Sequence, residues 1–204
     1  MYKNNYPHKR YRITLDFLKK HVNSNEEILD LGVANPFSEI LKNNNYKVTN
    51  TSGEDLDIDY SAIKNSKAEV VTAFEIFEHL VAPFNALKEI KADKLIASVP
   101  LKLWFSNAYK NPNDKRDRHY HEFEDWQFDW LLEKSGWEII SRKKWTNPTK
   151  KIGLRPILRL FTPRYYIVYA KRKTIENIKT WSEKRANNEE TYSTEFENYN
   201  FKLK

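Results

Sequence analysis

The sequence predicts a single α/β domain, doubly wound around a mostly parallel sheet. Short β-branched apolar bursts alternate with helix-period segments, which is the rhythm of βαβ units. The bursts at 27–31, 69–73 and 94–99 are nearly continuous in apolar character, as strands covered on both faces must be. The first of them stops at Gly32 and runs straight into Asn35-Pro36, a helix-start signature in which Asn caps and Pro occupies the first helical position. The chain has 204 residues with 6 Trp, 12 Tyr and 11 Phe against 4 Gly, enough for one well-packed core and too few for two.

The elements follow in order. Residues 9–22 place Tyr11, Leu15, Leu18 and Val22 on one helical face, expected to pack at a sheet edge. A helix from Pro36 to about 44 follows the first strand. Residues 46–51 read as a second strand, Leu56-Asp-Ile58 as a brief third, and 83–91 as a helix between the next two strands. After Pro100 comes a polar stretch holding Trp104 and Phe105, a pair suited to a lid over a pocket or to packing under its own loop. A helix is expected over 122–135, with Phe123, Trp126, Trp130 and Leu131 on one face and Gly136 ending it. Strands at 137–142 and 164–170 flank a short helix at 154–161. The α/β domain is expected to span residues 1–170, and 171–204 to form an appended polar helix, continuing to Glu189, and tail.

Composition excludes several classes. With no cysteine, thiol catalysis, disulfide scaffolds and Cys-ligated metals are ruled out, so any metal must use oxygen or imidazole ligands. Mean hydropathy is −0.80, and no apolar run approaches the ~20 residues of a transmembrane segment. The first ten residues carry positive charge without an apolar stretch behind them, so no secretory signal is read and a cytoplasmic location is expected. The net charge of +7 is lopsided: residues 139–175 hold eleven basic residues and no acidic one, leaving 24 basic against 28 acidic, net −4, elsewhere. A basic stripe of this kind suits an anionic partner, or serves only as a solvated face.

Four segments then stand in a telling order: Ile28-Leu-Asp-Leu-Gly-Val-Ala-Asn-Pro36, Phe74-Glu-Ile-Phe-Glu-His-Leu80, Leu95-Ile-Ala-Ser-Val-Pro100 and His121-Glu-Phe-Glu-Asp-Trp126. Over about residues 26–142 the chain resembles the class I S-adenosylmethionine-dependent methyltransferases. The resemblance implies a Rossmann-like sheet with an antiparallel last strand and S-adenosyl-L-methionine as cofactor. It assigns cofactor binding to Asp30, Gly32 and Ala34 in the first turn, Asn50 at the ribose, Asp55 or Asp57 near the adenine, and Glu75. The sequence departs from the family where Ala34 and Pro36 replace further glycines, and where Asn50-Thr51 stands in place of an acidic residue, with Glu54 close enough to compensate.

Glu75-x-x-Glu78-His79 brings two carboxylates and an imidazole to one face if this stretch is helical. The pattern is similar to that of ubiquinone-pathway O-methyltransferases and small-RNA 3′-terminal 2′-O-methyltransferases. In those families such residues hold a divalent metal, which here implies Glu75, Glu78, His79 and His121, with His119 as the other candidate. The metal-free alternative, favoured here, has Glu78 and His79 lining an acceptor pocket with His79 or His121 as general base. A purely structural role has Glu78 capping a helix and the histidines bonding carbonyls. The Asn/Asp-Pro-Pro-Tyr tetrapeptide that this superfamily uses on exocyclic base amines is missing, which favours a hydroxyl acceptor.

In the family's sheet order the 145–163 connection emerges on the cofactor side, so the basic stripe is expected to rim the pocket. That implies a small or anionic acceptor: a phosphorylated molecule, a glycan, a lipid head group or a nucleic acid. Leu154–Phe161 mixes apolar and basic faces and also fits an anionic membrane surface. Two other classes remain: a non-catalytic binding module with a basic rim, and a dinucleotide oxidoreductase, for which Gly32-Val-Ala-Asn-Pro is a poor Gly-x-Gly-x-x-Gly.

Overall fold

The computed structural model describes residues 7–113, 117–148 and 151–173. Contacts divide the chain into two units, Met1–Arg172 and Lys173–Lys204, and the description below concerns the first. The helix and tail expected beyond residue 171 fall, from residue 174 on, outside the described residues.

Six strands form one sheet: β1 (Glu27–Asp30), β2 (Lys47–Asn50), β3 (Val70–Phe74), β4 (Lys94–Pro100), β5 (Trp137–Thr146) and β6 (Pro163–Arg172), in the order β2-β1-β3-β4-β6-β5. The first four run parallel, and β6 lies antiparallel between β4 and β5. Successive side chains go to opposite faces, and the core divides accordingly. Ile28, Val70, Ile96 and Ile167 join one cluster, while Leu29, Val71, Leu95 and Val168 join the other. Helices α1 (His8–Leu18) and α2 (Pro36–Asn43) cover the first face; α3 (Ser61–Asn65), α4 (Pro83–Glu89) and α5 (Asp125–Lys134) cover the second. The expected doubly wound sheet with an antiparallel last strand is present.

Three expectations need correction. Helix α1 packs on a sheet face rather than an edge: Tyr11, Phe17 and Leu18 are buried with Ile96 and Ile167, and just beyond it His21 stacks on Tyr169 at 4.5 Å. A strip carrying this much apolar surface is covered only by a face. Leu56-Asp-Ile58 forms a turn, not a strand, with Ile58 at 78% exposure. The acidic residues claim the local backbone there, since Asp57 N–H donates to Asp55 Oδ1 at 3.0 Å and the N–H groups of Ile58 and Asp59 donate to the Asp55 carbonyl. In α5 the buried residues are Phe128 and Leu132, whereas Trp126 and Trp130 are exposed and pack on each other at 4.7 Å. The phase is set by Glu124, whose capping box with Gln127 starts the helix after Phe123 rather than before it.

The turn and cap chemistry at β1 to α2 is as expected. Asn35 Oδ1 accepts from the N–H groups of Phe37 and Ser38, and Pro36 sits in the first helical turn.

Candidate active site

The carboxyl ends of β1 and β3 converge on two linked features. The first is the Gly32 turn. Asp30, 2% exposed, registers with Asn50 of β2 on one side and Thr72 of β3 on the other. Thr72 Oγ1 donates to Asp30 Oδ1 at 2.6 Å. Asn50 Nδ2 donates to Asp30 Oδ2 at 3.0 Å, to Ser38 Oγ at 3.1 Å and to the Gly32 carbonyl at 3.3 Å, while Gly32 N–H donates to Thr51 Oγ1 at 2.7 Å. Gly32 has φ +115°, and a Cβ there would stand 3.3 Å from Ile76 Cδ1, so only glycine fits without displacement. Asn50 Nδ2 thus ties the turn together, its two hydrogens shared among three acceptors.

Burial raises the Asp30 carboxyl from 3.8 to about 6, against the opposing hydrogen bonds from Thr72, Asn50 and Ser38. The folded protein therefore holds this proton more tightly than the unfolded chain. As pH rises from about 4, the unfolded carboxyl ionises first and stability falls, by up to about 3 kcal/mol once the folded value is passed. The lowered imidazoles of His21 and His119 act in the opposite sense toward pH 6.5, so a direct reading is preferable. Carbon-detected NMR should place the Asp30 carboxyl midpoint near pH 6; a midpoint at or below 4 contradicts this account.

The second feature is the segment after β3. Glu75 adopts the left-handed conformation, φ +58°, and only Phe77–His79 forms a 3-10 turn, so the helical face expected for Glu75, Glu78 and His79 is replaced by a kink. The kink is held by Glu75 N–H donating to the Ser98 carbonyl, Ser98 Oγ donating to Glu75 Oε1 at 2.9 Å, and Arg10 Nη1 lying 3.5 Å from Glu75 Oε2. Glu78 is 1% exposed and its Oε2 has no hydrogen-bond partner among the described residues. Burial raises both carboxyls, and Glu78 the more, because the Glu75 charge adds to desolvation there while Arg10 and Ser98 offset it at Glu75.

His79 Nδ1 donates to the Arg118 carbonyl at 2.9 Å, so Nδ1 carries a proton, and Nε2 lies 3.7 Å from Glu78 Oε1. His119 lies edge-on to His79, centroids 4.8 Å apart, and its Nδ1 is buried without a hydrogen-bond partner among the described residues. One ligand atom each from Glu78, His79 and His119 falls within 4.8 Å of the others. His121 is placed elsewhere: its Nε2 donates to the Val81 carbonyl at 3.2 Å and its ring stacks on Phe123.

The remaining candidates separate. Ala34 is exposed in the turn. Asp57 accepts from the N–H groups of Val81 and Ala82 with both carboxylate oxygens, each at 2.8 Å, which makes it a brace between loops. Asp55 forms the turn described above, and half-buried Glu54 accepts from Ser52 N–H at 2.8 Å. Trp104 is 73% exposed, edge-on to Phe105. The basic stripe divides. Arg142 pairs with Asp129, Lys144 with Asp125, and Arg172 stacks on Trp137 at 4.0 Å. Arg164, bonded to the Leu101 carbonyl, exerts its charge on Glu75 and Glu78. Arg10 was not legible as a site residue, because nothing in a helix 65 positions upstream marks it as the partner of Glu75.

No protein-family model matches the chain, and no curated protein matches it in sequence. Solved structures do match in shape. A protein described as a methyltransferase, in complex with the Trm112 methyltransferase activator of Haloferax volcanii, aligns with TM-score 0.56 at 12% identity, over 82% of this chain and 91% of that one. A S-adenosylmethionine-dependent methyltransferase of Methanosarcina mazei aligns with TM-score 0.52 at 11% identity, over 83% and 99%. The fold is that of the class I S-adenosylmethionine-dependent methyltransferases. The [4+2]-cyclase SpnF shares this methyltransferase fold with TM-score 0.53 at 12% identity, over 84% and 85%, so function has to be argued from the site.

Proposed function

We propose that this protein transfers a methyl group from S-adenosyl-L-methionine to a hydroxyl of a small anionic acceptor. One observation carries the reading: Ile76, between Glu75 and the Glu78-His79 pair, packs directly on Gly32, so the cofactor turn and the proton-handling groups adjoin. The residues fit the cofactor at the tight Gly32 turn; at the ribose position Asn50 Oδ1 offers an acceptor in place of a carboxylate. When bound, S-adenosylmethionine supplies an electrophilic methyl group. The chain's own part is to align the acceptor and take its proton. His79 Nε2, the ring nitrogen not engaged by the Arg118 carbonyl, is the atom to receive that proton, and the buried Glu78 carboxyl beside it orients the acceptor. Arg10 and Arg164, whose charges reach Glu75 and Glu78, favour an acceptor with a negative group.

Calorimetry tests the first step. S-adenosylmethionine should bind with micromolar affinity and S-adenosylhomocysteine at least as tightly, while NADH gives no saturable heat. Absence of heat with millimolar S-adenosylmethionine would leave the non-catalytic binding module as the reading.

A second reading is a metal-assisted O-methyltransferase. It is supported by the Glu78, His79 and His119 cluster and by the two buried unpartnered atoms, Glu78 Oε2 and His119 Nδ1. Two imidazoles and one carboxylate fit zinc or manganese better than magnesium, which prefers oxygen ligands. A bound cation would supply positive charge that lowers the acceptor hydroxyl's pKa. The ligand set would use His119 where the sequence alone favours His121.

A further inference from the structure

We propose that the helix α6 (Leu154–Phe161) docks this protein onto an anionic lipid surface. The helix is mounted with its apolar face outward. Leu154, Ile157, Leu160 and Phe161 are 74, 53, 49 and 79% exposed, none of its residues is buried, and the half-buried ones are Pro156, Leu158 and Arg159. On a wheel of 100° per residue the four exposed residues share one face, and Arg155 and Arg159 stand on the opposite, polar side of the helix. An ordinary surface helix does the reverse, burying its apolar stripe against the core. Fully exposed Ile152 and exposed Lys151 extend the same pattern ahead of the helix.

Charge selects the occupant. Residues 139–175 contain no acidic side chain, so a second copy meeting this region symmetrically would bring one basic segment against another. A nucleic acid would meet apolar side chains where phosphates need cations. A bilayer of anionic lipids matches both features, since acyl chains accept the apolar face while the cations of the polar face and exposed Lys151 are attracted to the anionic surface. The placement agrees. The segment joins the end of β5 to the start of β6, and Tyr165 registers with Pro100 at the carboxyl end of β4. The helix therefore lies at the sheet edge that carries Gly32 and His79, and docking would turn that edge toward the lipid. The inference does not depend on the methyl-transfer reading.

Flotation of the full chain with phosphatidylglycerol–phosphatidylcholine vesicles, against vesicles of phosphatidylcholine alone, tests it. The chain should float with the anionic vesicles only, and high salt should weaken binding. The double substitution Ile157→Glu with Phe161→Glu should lower the partition coefficient about tenfold or more. Arg155→Gln with Arg159→Gln should lower it less. Ile157 and Phe161 are exposed, so their substitution should leave the circular dichroism spectrum and the thermal unfolding midpoint unchanged, which separates loss of docking from loss of fold. Failure to float with anionic vesicles, or flotation untouched by the double Glu substitution, would overturn the proposal. So would sedimentation as a dimer that the same substitution dissociates, which would assign the face to a second copy.

Discussion

Asn50→Asp should destabilise the protein by about 2 to 4 kcal/mol, because one amide nitrogen serves three acceptors that a carboxylate cannot. Asp30 Oδ2, the Gly32 carbonyl and Ser38 Oγ all receive from Asn50 Nδ2. An aspartate would remove those donors and set a second carboxyl beside one that burial already pushes up to about 6. One of the two would have to keep its proton well above the usual range, or the turn would open. Urea denaturation of parent and variant gives the difference directly. The result also bears on ligand binding, since Asn50 is the residue proposed at the cofactor ribose. If the variant matched the parent in stability and bound S-adenosylhomocysteine more tightly, the amide would not be the keystone of the turn described here.

His79→Gln should cut turnover by about 10²- to 10⁴-fold while leaving S-adenosylhomocysteine affinity within about twofold, the split expected of a group that moves a proton and does not hold the cofactor. Glutamine keeps a donor for the Arg118 carbonyl but has no basic Nε2. A parallel loss of cofactor affinity would mean that the substitution disturbed the Gly32 turn through Ile76. Chelation then divides the two readings. If the parent keeps its rate after exhaustive chelator treatment, His79 acts as the base itself. If the rate is lost and manganese restores it, and His119→Asn abolishes the manganese heat seen by calorimetry, the Glu78-His79-His119 cluster is a metal centre.

Much of the architecture could be read from local pattern. The apolar bursts that became β1, β3 and β4 are continuous because each strand is covered on both faces, and Gly32, Asn35 and Pro36 announce a strand-to-helix turn by backbone requirement alone. Leu56-Asp-Ile58 misled because three residues with β-favouring ends say nothing of the side-chain oxygens of Asp55 and Asp57, which hold the segment as a turn. The helical face drawn through Glu75, Glu78 and His79 failed for a similar reason. Periodicity assumes regular backbone, and Glu75 sits at φ +58° under the control of Ser98 and Arg10.

Taken by itself, the chain's order of residues determined the layered α/β plan, the turn at Gly32 and the short list of acids and imidazoles able to do chemistry, since each rests on neighbours within a few positions. Tertiary structure alone decided that His119 rather than His121 meets His79, that Arg10 neutralises Glu75, that Asn50 binds the turn, and that α6 wears its apolar face outside. Those outcomes depend on groups tens of residues apart and on which side of an element the rest of the fold happens to cover. A periodic pattern shows that a helix has two faces; only packing says which one is turned to water.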